Sequence, residues 1–239
     1  MKLEEFSNGF DTLVNSYKRF KDFDRQEILD SIEFNEYEKS LFLTRAQEEI
    51  VVNLYNGRNP YGVSFEGTEE LRRYLERLVK TKIYTSEDTE TEIDTGVSKT
   101  SKFFKLPEDL AFITLEQVTY DDDVLGCYNG SVASVYPVSQ DEYEKVKNNP
   151  FRGPTKYKVI RLDPGNNLVE LVSKYSIGEY LVRYLSKPNP IILETLPNDL
   201  TINGENSWRE CELNPILHDT ILTRAVQLAL QSKGVSVEK

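Results

Sequence analysis

The chain has 239 residues, 38% of them hydrophobic and 29% charged, with a formal net charge of −11. That is enough for one large domain or two small ones, and the apolar share is ample for folding. The acidic balance argues against a dedicated nucleic-acid binder, which would carry a basic excess.

The first 80 residues read as helices. Phe6, Phe10, Leu13, Val14 and Tyr17 recur at spacings of three and four, one face of a helix. Asp24 with Glu27 has the spacing of a capping box and predicts a second helix start. Asn35 with Glu38 repeats the arrangement ahead of a stripe of Leu43, Ala46, Ile50 and Leu54, which Asn56-Gly57 closes. The opposite face of that helix, carrying Glu38, Arg45 and Glu49, is expected to be free for a neighbouring subunit. Thr68 caps a further helix through Lys80, with Glu69 and Glu70 at the positive end of its dipole.

Residues 81–101, "TKIYTSEDTETEIDTGVSKTS", are polar and break the pattern, as a hairpin or an arm that orders on a partner. From 102 the period changes to two. "FITLEQVTYDD" and "NGSVASVYPV" read as strands and "DEYEKVKNNP" as a short helix. "KYKVIRL" and "LVELVSK" flank "DPGNN" as a hairpin, and "IGEYLVRYL" alternates again. Consecutive strands with short turns predict a mostly antiparallel sheet. The prolines of "SKPNPIILETLP" exclude a central strand, so this stretch is expected along an edge or over the sheet. Asn214 and Pro215 start a last helix that Gly234 stops. The fold class expected is therefore α+β: N-terminal helices (1–80), a polar arm or hairpin (81–101), an antiparallel β-rich middle (102–210) and a C-terminal helix packing back (211–239).

Chemistry is hard to find. The one histidine, His218, lies in the last helix, and two cysteines with one histidine cannot make a structural metal site. Asp121 to Asp123 lack the ligand series of a calcium loop. Phosphate-binding glycine motifs and a nucleophile elbow are missing. No catalytic residue, metal ligand or cofactor site is expected. Forty acids leave room for a two-carboxylate enzyme as a rival reading. No apolar run reaches membrane-spanning length and no secretory leader is visible, so folding in a cytoplasm with both thiols reduced is expected.

Charge is uneven along the chain. Residues 1–100 hold 21 acids against 14 bases, whereas 145–187 hold nine bases, among them Lys156, Lys158 and Arg161, against three acids. Two faces of opposite charge suit head-to-tail contact between copies. Lys156, Lys158 and Arg161 on one side, and Glu38, Arg45 and Glu49 on the other, are the expected interface residues. Reversing the charge of Lys156 and Lys158 should weaken association between copies.

Four segments, in order, carry a resemblance. "FNEYEKSLFLTRAQEEIVVNLYNG", "QDEYEKVKNNPFRGPTKYKVIRLD", "YLVRYLSKPNPIIL" and "ECELNPILHDTILTRAVQLAL" are similar to stretches of the head-to-tail connector and tail ring proteins of crAss-like short-tailed bacteriophages. The resemblance implies a structural, non-enzymatic virion protein assembled in the host cytoplasm. It implies a ring, with twelve copies expected, that contacts the portal protein and neighbouring tail rings and lets DNA and ejected cargo pass without sequence-specific binding. The predominance of helices at both ends favours the portal-proximal ring; a later tail-barrel ring or a head-completion protein is the alternative.

Overall fold

The computed structural model describes residues 1–19, 33–59, 62–90, 97–98, 100–197 and 199–235. The helix start expected at Asp24 and part of the polar stretch, 91–96 and 99, lie outside them. The chain forms two compact units: Met1–Leu78 with Lys187–Lys239, and Val79–Ser186 between them.

The first unit is helical. Helix α1, Leu3–Arg19, starts with Glu4 and Glu5 in its first turn and buries Phe6, Phe10 and Val14. Helix α2, Glu36–Tyr55, has the expected capping box: Asn35 Oδ1 accepts from the Glu38 amide at 2.8 Å and Glu38 Oε2 from the Asn35 amide at 3.1 Å. Gly57 ends it at φ +76°, where an added Cβ would stand 3.1 Å from the Val63 carbonyl carbon. Helix α3, Glu69–Leu75, is capped by Thr68 as expected but stops early. A 3-10 turn follows, and Val79 is already strand. The last helix of this unit, His218–Ser232, follows Asn214 and a 3-10 turn that begins at Pro215. It packs on α1 and α2. A Cβ at Gly9 of α1 would lie 2.8 Å from Leu222 Cδ2, so glycine permits the close approach of these helices.

The expected stripe of α2, Leu43, Ala46, Ile50 and Leu54, is buried, but so are Lys39, Ser40, Thr44 and Gln47. The polar three form one row with spacings of four and three. They bond the extended chain 189–193: Ser40 Oγ accepts from the Leu193 amide (3.0 Å), Thr44 Oγ1 from that of Ile191 (3.1 Å), and Gln47 Nε2 donates to the Asn189 carbonyl (2.7 Å). The proline-bearing segment therefore lies on α2 and not, as expected, on the sheet. A chain with too few N–H groups for a ladder takes its hydrogen bonds from a helix's side chains instead.

The second unit is a seven-stranded sheet: β1 Val79–Thr85, β2 Ser101–Lys105, β3 Leu110–Tyr120, β4 Val132–Pro137, β5 Lys158–Gly165, β6 Leu168–Val172 and β7 Ile177–Ser186, in the order β1-β7-β3-β4-β5-β6-β2. Every pair is antiparallel except β4 with β5. Residues 138–157 form the crossover that parallel pairing needs, including α4, Gln140–Val146. Tyr143 and Val146 of α4 cover Ile160, Leu162 and Val172. Asn166 and Asn167, at φ 55° and 56°, make the tight turn of the expected β5–β6 hairpin. The α+β class holds.

The sheet curls until its first and last strands meet. Tyr84 of β1 donates its hydroxyl to the Lys105 carbonyl of β2 (2.8 Å), and the Glu90 amide donates to the Phe103 carbonyl (2.9 Å). Tyr84, Phe104 and Tyr180 fill the concave side, with ring centroids 5.2–5.7 Å apart.

Candidate subunit interface

Of the expected interface residues on α2, two are engaged within the chain. Glu38 closes the capping box and lies 3.7 Å from Lys233 Nζ. Glu49 is gripped by Arg224, whose Nε and Nη2 donate at 2.9 and 2.8 Å. Arg45 is exposed. The Glu49–Arg224 pair lies in an open groove with Asn53, Asp219 and Thr223. Nearby, Lys39 is buried and bonds Asp11 (2.7 Å) and Glu36 (2.8 Å). Burial lowers its pKa, but the two carboxylates outweigh this and leave the ammonium above the ordinary lysine value.

In the basic stretch the three residues divide. Arg161 turns into the concave core, where it pairs with Glu116, and its Nη2 donates to Asp163 at 3.2 Å. Tyr180 also donates to Glu116. Burial pushes the Glu116 carboxyl above the usual range despite the opposing pull of Arg161 and Tyr180. Alternation along β5 explains the division: Val159 and Arg161 face inward, while Lys158 does not.

Lys156 and Lys158 instead lie on tyrosines. Lys156 Nζ stands 4.0 Å from the Tyr128 ring centre and 4.9 Å from that of Tyr157, and Lys158 Nζ stands 4.4 Å from that of Tyr136. Hydrogen bonding to Tyr157 raises the Lys156 pKa, against a smaller lowering by burial. Tyr157 is 60% exposed, and Tyr128 and Tyr136 are 47% exposed. The patch is contiguous: Ser134 of β4 pairs with Lys158, and its amide donates to the Tyr157 carbonyl at 3.0 Å. Such rings bury large area at little entropic cost, which suits a protein contact.

Sequence reasoning passed over these tyrosines, which stand far apart in the chain, and over Trp208. The tryptophan is 60% exposed, in a shallow concavity with Asn189, Arg209, Glu210 and Glu212. Its position after "ENS", in a polar stretch, was a usable signal of exposure.

Among the described residues no His, Cys, Asp and Glu cluster could hold a metal ion, and no helix is long and apolar enough to cross a membrane. The arrangement offers charge and exposed aromatic surface.

Comparison with known proteins gives this surface a context. The chain is similar to Ring protein 3 of Bacteroides phage crAss001, 50% identical over 236 residues that cover 98% of this chain and 96% of the relative. It is also similar to Ring protein 4/5 of the same phage, 35% identical over 243 residues, or 96% and 92% of the two chains. Residues 1–239 match the family described as phage tail ring protein 3/4. The chain belongs to the phage tail ring protein 3/4 family.

Proposed function

We propose that the protein is the counterpart of Ring protein 3, a structural ring subunit that, with copies of itself, forms part of the tail channel through which DNA and cargo proteins leave the virion. The observation that carries this reading is the match to a tail ring family over the whole length, with greater identity to Ring protein 3 than to Ring protein 4/5. Closed rings need two different complementary faces on each subunit. The tyrosine-lysine patch and the acidic surfaces supply candidates, among which Lys156 and Lys158 are the best placed of the residues expected from sequence. A net charge of −11 supports a channel that DNA slides through, since lysine and arginine contacts to phosphate are what make it stick.

The helix-rich ends favoured the portal-proximal ring, with the portal as direct partner. The numbered relatives support a later ring instead, flanked by other ring proteins. Twelve copies remain the expected stoichiometry. A catalytic role has little support: the α2 groove is open, and its Glu49 is bound by Arg224.

The test is the mass of the purified protein by light scattering, alone, with the portal, and with a neighbouring ring protein of the same phage. Closed rings alone or on a neighbouring ring protein are expected. Rings that form only on the portal would restore the portal-proximal position, and a monomer under all three conditions would overturn the reading.

A further inference from the structure

Trp208 is the sole tryptophan of the chain and stands largely in solvent. Tryptophan is the residue type most enriched among the anchors of protein contacts. Its concavity is lined by Asn189, Arg209, Glu210 and Glu212. Arg209 is matched within the chain by Glu205 at 3.0 Å, and Asn189 donates to both carboxylate oxygens of Glu212, its Nδ2 to Oε1 at 2.5 Å and its amide to Oε2 at 3.3 Å. Glu210 has no ion-pair partner among the described residues. An aromatic wall with carboxylates beside it is a receptor for an ammonium group, which gains from the ring face and the negative charge together.

The complementary surface is on the same chain. Lys156 and Lys158 rest on tyrosine rings, and among the described residues neither is paired with a carboxylate. We infer that the Trp208 concavity of one copy receives the Lys156–Lys158 tyrosine face of the next copy, in a head-to-tail contact. The two faces differ, so one contact leaves a free face of each kind and the association propagates, as ring closure demands. The tyrosines already fix the lysine stems, so less side-chain freedom is lost on docking. A local cationic patch also offsets the repulsion between subunits that each carry −11. The inference rests on the ring reading proposed above.

The experiment is mass photometry of the intact protein across a concentration series, with intrinsic tryptophan emission followed in parallel. Assembly should move the emission to the blue as Trp208 leaves water. The variant Lys156→Glu/Lys158→Glu and the variant Glu210→Lys/Glu212→Lys should each weaken association by about tenfold or more, and a mixture of the two should recover it in part through the swapped charges. Wild-type rings whose emission stays that of an exposed indole would overturn this contact and leave the ring reading standing. Absence of self-association at any concentration would overturn both. If the lysine variant assembles normally but loses binding to duplex DNA, the patch serves nucleic acid and the inference is wrong.

Discussion

Thr44 holds both backbone groups of Ile191, 147 residues away: its Oγ1 accepts from the Ile191 amide at 3.1 Å and donates to the Ile191 carbonyl at 3.3 Å. The pair is buried and does for this segment what a neighbouring strand would do in a sheet. Thr44→Val keeps the shape and removes both bonds, leaving two buried backbone groups unpaired. The expected loss is about 2–4 kcal/mol in urea denaturation, and Thr44→Ser should lose less. A loss below about 0.5 kcal/mol for Thr44→Val would refute this role.

The Glu116–Arg161 pair inside the curled sheet predicts a different pattern. Arg161→Met alone strands a carboxylate that Tyr180 only partly satisfies, at a cost of about 3–5 kcal/mol. Adding Glu116→Leu should restore part of that loss, because an apolar pair needs no desolvation. Glu116 also sets a pH slope. Its folded pKa is raised by burial, so the folded state holds the proton more tightly than the unfolded chain. Stability then falls as pH rises from the usual carboxylate range through the raised value, and Glu116→Gln should lack this slope in melting curves.

His218 works in the opposite sense. Its Nδ1 stands 2.7 Å from the Met1 amine and its Nε2 3.2 Å from the Leu213 carbonyl, the pattern of a neutral ring with the proton on Nε2. Burial lowers its pKa, against the Leu213 bond and with a further push from the N-terminal ammonium. The unfolded chain takes up the proton first, so stability should drop as pH falls below about 6.5, the unperturbed histidine value. His218→Gln should flatten that part of the pH–Tm profile. An unchanged slope would assign it to another group.

The two thiols should be chemically distinct. Cys127 is exposed, whereas Cys211 is buried, donates to Gln47 Oε1 at 3.2 Å and has its pKa pushed up to about 11 by burial. A maleimide reagent at neutral pH should label Cys127 alone in the native protein and both thiols in urea. Fast labelling of both without denaturant would show that the packing of Cys211 under α2 opens readily.

What could be read from the sequence was whatever local rules decide. Asn35 with Glu38, Thr68, Asn214-Pro215 and the two asparagines of the β5–β6 turn act within three or four residues, so their roles were visible in the string. Arg161 was misjudged as surface because its partner Glu116 is 45 residues away and two strands over, and nothing local marks β5 as inward-facing there. Val79–Thr85 read as the end of a helix and the start of an arm because every hydrogen bond that makes it a strand comes from β7, a hundred residues on. Nothing local marks the row Ser40, Thr44 and Gln47 as buried; it is polar because the segment it covers presents backbone groups. The lysine-tyrosine patch was half visible: its lysines stood out by charge, but the tyrosines they rest on are gathered only by the fold.

The helical unit is interrupted in sequence, with its two pieces flanking the sheet. On the ribosome this imposes an order. The sheet unit is continuous and can close as soon as β7 emerges, whereas α1 and α2 must wait for Ile191, Leu222 and their neighbours. From the end of α2 at Tyr55, Ile191 is 136 residues on and Leu222 is 167 residues on, on the order of ten seconds of translation at about 5–20 residues per second. During that interval Phe6, Phe10, Leu43 and Ile50 have no core to enter, and the nascent helices are the stretch a chaperone would hold. A truncated chain that lacks the last helix would therefore fail in its first 78 residues, far from the missing part.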